Sequence, residues 1–216
     1  MAEIRGLYAI TDPRLLDGSR LLTACEAALR GGARILQYRD KPASDTQRRQ
    51  RALELLRLCR DHGALFIIND DSALAADIGA DGVHIGQSDG DLSRARQRLG
   101  PDAIIGVTCH GDPALAHQAV MDGANYVAFG RFYPSLTKPH AMPADPAVLA
   151  TRLPMVTTTT TTTPIAKVAI GGITPDNAPP LLKAGADALA VIHGLFGSDD
   201  IEARARQFSR LFNNRL

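Results

Sequence analysis

Two hydrophobic rhythms alternate along the chain. Short runs dense in apolar and β-branched residues read as strands: Gly6–Thr11, Ala33–Asp40, Leu65–Asp70, Gly82–Gln87, Ile104–Cys109, Tyr126–Arg131, Ile165–Gly171 and Ala188–His193. Several are almost continuous in apolar residues, the pattern of parallel strands covered on both faces. Between them, Leu21–Arg30, Thr46–His62, Leu92–Leu99, Pro113–Asp122 and Ile201–Asn213 carry apolar residues at helical spacing. Ser72–Ile78 and Asp176–Lys183 fit shorter helices, and a sixth connection around Pro146–Arg152 fits another. Eight strands alternating with helices predict a parallel α/β architecture.

A repeat chooses the closed form of that architecture. Gly-Ala followed by a polar residue precedes the second, fourth, sixth and eighth strands, at Gly32-Ala33-Arg34, Gly79-Ala80-Asp81, Gly123-Ala124-Asn125 and Gly185-Ala186-Asp187. Each glycine stands where a helix ends and can take the left-handed conformation that turns the chain back into the sheet. Recurrence at every second unit suits a twofold-repeated module that closes on itself. The expectation is therefore a single (β/α)₈ TIM barrel spanning residues 1–216. The seven threonines Thr157–Thr163 interrupt the pattern. Threonine favours strands, but with nothing apolar to bury the run reads as a solvated connection on the bottom face.

Composition narrows the function classes. The 216 residues suffice for one domain with a full core, and 24 basic against 23 acidic residues argue against an electrostatic grip on nucleic acid or membrane. Cys25, Cys59 and Cys109 are too few and too widely spaced for a disulfide framework. The N-terminal residues lack the apolar stretch of a secretion signal. These features predict a cytoplasmic protein acting on small molecules; assembly into a homo-oligomer is left open.

In such a barrel the chemistry gathers at the C-terminal ends of the strands. The second strand ends Gln37-Tyr38-Arg39-Asp40-Lys41, and alternation places Gln37, Arg39 and Lys41 on one side. Arg39 can fork onto phosphate oxygens and Lys41 adds a mobile charge, although a charged strand end also suits a solvated rim. Asp70 or Asp71 after the third strand, and Asp89 after the fourth, suit either a hard, oxygen-liganded cation or the capping of the helices that follow. Thr108 offers a hydroxyl, and Cys109 beside it should pack into the core. His110 is either a loop residue or a proton shuttle. Ser135, Thr137 and Lys138 suit an anion clamp in the sixth loop. Gly171-Gly172 and Ile192-His193-Gly194 stand where barrels commonly bind phosphate.

Taken together, these residues resemble the thiamine-phosphate synthase family along nearly the whole chain. The shared motifs are Gln37-x-Arg39-x-Lys41, Asn69-Asp70, the segment from Gly82 to Asp89, Thr137-Lys138 and Ala169-Ile170-Gly171-Gly172-Ile173. The resemblance implies a pyrimidine diphosphate held by Gln37, Arg39, Lys41, Asn69 and Lys138, with Tyr38 and Asp40 also among the substrate-binding residues of that strand end. It implies Mg²⁺ on Asp70 and Asp89, and Arg39, Lys41 and Lys138 as the catalytic cations. Thr108 stands where the family usually has serine and would touch the diphosphate. A thiazole phosphate would lie against Ser135, Leu136, Thr137, Gly172, Ile192 and His193, the last replacing a usual serine. The implied reaction joins the two substrates, releasing pyrophosphate. The alternatives are a thiazole tautomerase using His110, a noncatalytic binder of thiazole or thiamine phosphate, or another phosphate-binding barrel isomerase.

Overall fold

The computed structural model describes residues 3–87, 90–135, 142–157 and 162–213. All eight expected barrel strands form: β1 (Gly6–Ile10), β2 (Ala33–Tyr38), β3 (Leu65–Asn69), β4 (Gly82–Ile85), β5 (Ile104–His110), β6 (Tyr126–Phe129), β9 (Ala166–Ile170) and β10 (Ala188–Val191). They pair in parallel in the order β1-β2-β3-β4-β5-β6-β9-β10, and β10 returns to β1 with Leu7 opposite Leu189. Closure leaves the barrel no exposed edge.

The strand pleat divides the apolar residues into two cores. Tyr8, Ile35, Ile67, Ile104, Tyr126 and Val168 point inward and fill the barrel. Their neighbours Leu7, Leu36, Phe66, Ile105, Val127 and Leu189 point outward and pack beneath the helices. This period-two division explains the continuous apolar runs, since both faces of every strand are covered. Each fully buried large side chain contributes about 1.5–3 kcal/mol.

Around this sheet lie α1 (Leu21–Arg30), α2 (Asp45–Asp61), α3 (Ser72–Ile78), α4 (Leu92–Leu99), α5 (Pro113–Met121), α6 (Pro179–Ala184), α7 (His193–Phe196) and α8 (Ile201–Asn213). Their starts follow from side-chain caps. Ser44 and Gln47 form a reciprocal capping box on α2, while Asp71, Asp91 and Asp112 accept backbone N–H bonds at α3, α4 and α5. Among the described residues no helix is long and apolar enough to cross a membrane.

The repeated Gly-Ala-polar signature has a structural purpose beyond the turn. Gly32, Gly79, Gly123 and Gly185 all have positive φ, between 68° and 118°. In three of the four repeats the polar residue then ties down the start of the preceding barrel strand. Asp81 accepts from the Phe66 N–H at 2.7 Å, Asn125 from Ile105 at 2.8 Å and Asp187 from Lys167 at 2.9 Å.

Three expectations are corrected. The helix expected near Pro146–Arg152 is a short 3-10 turn, Pro146–Ala150. The helix expected from Asp176 starts at Pro179, because two prolines suit the first turn, where no intrahelical N–H is needed. The threonine run is not simply an irregular connection. Its ends belong to β7 (Met155–Thr157) and β8 (Thr162–Pro164), which pair antiparallel in a ribbon separate from the barrel. Strand propensity prevails there because the backbone can pair without a core to bury. Residues 158–161 lie outside the described residues.

Candidate active site

At the C-terminal end of the barrel the inward positions change from apolar to polar. Gln37, Arg39, Asn69, His84 and Thr108 continue the inward-facing registers of β2, β3, β4 and β5. They line a cavity of about 320 Å³ with Ser135, Gly172, Ile192 and His193. Arg39, Arg131, His84, His110 and His193 also face this cavity, and its described lining contains no carboxylate. The wall therefore suits an anionic ligand. The Arg39 backbone is held by Thr11, whose hydroxyl accepts from Arg39 N–H at 2.8 Å and donates to Arg39 C=O at 3.1 Å. Its guanidinium makes no hydrogen bond among the described residues, so all five donors remain available.

A second cleft, of about 580 Å³, shares Asn69 with the first and is lined by Tyr38, Asp40, Lys41 and Asp70. Regular strand pairing in β2 ends at Tyr38, so the alternation that aligns Gln37 with Arg39 does not carry Lys41 inward with them. Its ammonium reaches Asp70 Oδ2 instead, at 3.1 Å. Tyr38 and Asp40 face the helix layer: the Tyr38 hydroxyl donates to Asp40 at 3.2 Å and Arg51 pairs with the same oxygen at 2.7 Å. Burial, reinforced by the Asp40 charge, pushes the Tyr38 hydroxyl far above its ordinary pKa. These two residues brace the strand end and stand behind the cavity wall.

Asp70 adopts a left-handed backbone, φ 63°, which turns its carboxylate back toward the strand ends. Asn69 Nδ2 donates to Oδ2 at 2.6 Å and the Gly86 N–H to Oδ1 at 3.3 Å. The alternative capping role falls to its neighbour: Asp71 accepts from Leu74 N–H at 2.9 Å. Likewise Asp91, not Asp89, caps α4. Asp89, Leu136, Thr137 and Lys138 lie outside the described residues. Among the described residues no group of three metal-ligating side chains assembles. Asp70 nevertheless offers hard oxygen donors and already holds a cation, the Lys41 ammonium, so its chemistry fits Mg²⁺.

The glycine pair after β9 allows a close approach of two loops. Gly172 has φ 63°, and a Cβ there would lie 2.3 Å from the Pro134 carbonyl oxygen. Asn177 braces the same turn, donating to Gly172 C=O at 3.0 Å and accepting from Thr174 N–H at 2.8 Å. His193 opens α7 and is exposed to the cavity beside Ile192. Cys109 is fully buried, as expected, and burial pushes its thiol up to about 12. His110, at φ 50°, is exposed at the cavity rim.

Sequence reasoning missed His84. It sits between Gly82 and Gly86 on one face of β4, and its inward parity was available from the alternation. It also missed Tyr8 and Tyr126, whose rings meet edge to face inside the barrel with centroids 6.0 Å apart. Their hydroxyls are 2.8 Å apart, and both are driven far above the ordinary phenol pKa, chiefly by burial.

Comparisons with known proteins identify the family to which the barrel belongs. The family model described as thiamine monophosphate synthase matches residues 7–195. Thiamine-phosphate synthase of Alcanivorax borkumensis is 57% identical over 213 residues, spanning 97% of this chain and 95% of that protein. The Chromobacterium violaceum protein of the same name is 51% identical over 213 residues, covering 99% of each. Among solved structures, thiamine phosphate pyrophosphorylase from Pyrococcus furiosus superposes with a TM-score of 0.84 at 31% identity, covering 97% of this chain and 96% of that one. With nearly full-length identity above one half and a shared barrel, the chain belongs to the thiamine monophosphate synthase family.

Proposed function

We propose that the barrel mouth joins hydroxymethylpyrimidine diphosphate to thiazole phosphate, forming thiamine phosphate and releasing pyrophosphate, with the chain acting as one barrel domain over residues 1–216. The observation that carries the residue assignments is the cavity wall, which among the described residues holds no carboxylate and sets the Arg39 guanidinium, without a hydrogen bond there, beside Asn69 and Thr108. Arg39 and Asn69 bind the diphosphate, joined by Lys41 from the adjoining cleft and Lys138 from the sixth loop. Gln37 orients the pyrimidine. The thiazole phosphate lies across Ser135, Leu136, Thr137 and Gly172, against Ile192 and His193.

The electron-rich aminopyrimidine stabilises positive charge on its methylene carbon as the C–O bond to diphosphate breaks. Arg39, Lys41 and Lys138 stabilise the negative charge growing on the leaving group. Such preorganised electrostatics is worth roughly 10²–10³ in rate per donor, by analogy with oxyanion holes. The thiazole nitrogen attacks through an existing lone pair, so the step needs neither a general base nor a covalent enzyme intermediate. Asp70 and Asp89 would hold Mg²⁺, which when bound neutralises diphosphate charge.

The deciding experiment supplies both substrates and Mg²⁺ and follows pyrophosphate release, with the product identified by mass. Release that requires both substrates and metal, with thiamine phosphate formed, is the expected result. Binding or tautomerisation of thiazole phosphate without release would overturn this reading in favour of a sensor or a tautomerase acting through His110.

A further inference from the structure

A continuous hydrogen-bonded chain crosses the barrel interior beneath the cavity. Gln37 Nε2 lies 2.8 Å from the Tyr8 hydroxyl, which lies 2.8 Å from the Tyr126 hydroxyl. The Tyr126 hydroxyl lies 2.9 Å from His84 Nδ1, and His84 Nε2 lies 2.8 Å from Thr108 Oγ1. The ring of His84 also stacks on Tyr126, with centroids 5.5 Å apart. Tyr8 and Tyr126 are fully or almost fully buried, and each hydroxyl has its two partners within this chain.

Each hydroxyl carries a single proton, so the chain has one direction throughout. Gln37 donates to Tyr8; Tyr8 must then donate to Tyr126, and Tyr126 to His84 Nδ1. That leaves the His84 proton on Nε2, donated to Thr108, whose own hydroxyl proton has no protein acceptor among the described residues. The reverse direction needs the Gln37 carboxamide oxygen turned toward Tyr8 and would leave Thr108 facing the cavity only as an acceptor. A cavity whose described lining brings Arg39, Arg131, Gln37 and Asn69 together, with no carboxylate among the described residues, calls for the outward-donating arrangement.

We infer that Tyr8 and Tyr126 are positioning residues: through His84, held as its Nε2–H tautomer, they turn the Thr108 hydroxyl into a hydrogen-bond donor aimed at an anionic oxygen of the substrate. The inference rests on the diphosphate reading for its acceptor but not for the chain itself. Burial keeps both phenols protonated, so neither hydroxyl breaks the chain by ionising. Preorganisation of this kind matters because a hydroxyl already turned toward developing charge costs no reorientation during the reaction.

The chain is tested on the ligand-free enzyme by ¹⁵N-histidine NMR, with the His84 resonances assigned from a His84→Gln variant. The expected spectrum shows His84 protonated on Nε2 with Nδ1 bare, and Tyr126→Phe converts it to a mixture of tautomers. Kinetically, Tyr126→Phe lowers kcat about tenfold with little change in KM, the effect of one lost hydrogen bond of ordinary strength. Thr108→Val lowers it further, Thr108→Ser retains it, and adding Tyr126→Phe to Thr108→Val has no additional effect. Thermal midpoints verify folding, and Tyr8→Phe supplies a second break, upstream, with a smaller fall in kcat. An Nδ1–H tautomer in the parent enzyme, an unchanged tautomer in Tyr126→Phe, or additive losses in the double variant would overturn the inference. Failure of the diphosphate reading would instead appear as absent turnover with the NMR result intact.

Discussion

Arg39 shows how one residue joins local order to chemistry. Its backbone is fixed by Thr11, just beyond the end of β1, while its guanidinium stays available at the cavity wall. Lysine there would keep the charge but lose the planar fork, so Arg39→Lys should lower kcat/KM by about 10²-fold in the pyrophosphate-release assay. Parent-like turnover would remove Arg39 from the diphosphate site. Gly106 is a different case. A Cβ at this position would lie 1.9 Å from the Tyr126 ring, so the missing side chain is what lets the ring cross the barrel. Gly106→Ala should cost about 1–3 kcal/mol in urea denaturation through overpacking. It should also lower turnover by displacing the Tyr126 hydroxyl; a stable variant with full activity would contradict that packing argument.

Among the elements, the strand starts depend on side chains from the repeated Gly-Ala-polar turns. The Lys167 N–H at the start of β9 is satisfied by Asp187, and the Lys167 ammonium in turn donates to Leu149 C=O at 2.6 Å and Thr151 C=O at 2.9 Å. Asp187→Ala leaves that backbone donor without its partner and should cost about 1–3 kcal/mol in equilibrium urea unfolding. The site lies at the other end of the strands, so kcat at 25 °C should stay within about twofold of the parent value. A large loss of kcat with unchanged stability would show that the two ends of the barrel are coupled. The repeat was legible in the chain because its glycine and polar positions recur. Its second purpose was not, since the accepting carboxylate and the donating N–H belong to segments 20 residues apart.

For the whole molecule, stability is linked to pH through the turn after β1. Asp12 is 2% exposed, and the Arg14 guanidinium bonds to it through two nitrogens. The hydrogen bond from Arg14 is the main cause holding this carboxyl below its ordinary value. A carboxyl depressed in the folded state stabilises above its unfolded pKa, and that stabilisation is lost as pH falls through the folded value. The urea midpoint should therefore decline more steeply below about pH 4 in the parent protein than in Arg14→Met, where the hydrogen bond is absent. Identical slopes in the two proteins would show that Asp12 does not contribute to acid unfolding.

The order of the eight barrel strands and most of the helices between them, the closing repeat and the charged strand ends were determined by the sequence, because they depend on short periods and local turn chemistry. Hydrophobic runs of the right length imply strands covered on both faces whichever neighbours they find. Gln37, Arg39, Asn69 and Thr108 could be placed at the strand ends because each stands at or shortly beyond the close of an apolar run. Only the tertiary structure decided which of those polar residues meet. Lys41 turns to Asp70, and Asp40 turns away to Arg51. The Tyr8 and Tyr126 hydroxyls touch across 118 residues of chain. Such contacts depend on barrel closure, which sets the angle between distant strands, and no local pattern encodes that angle.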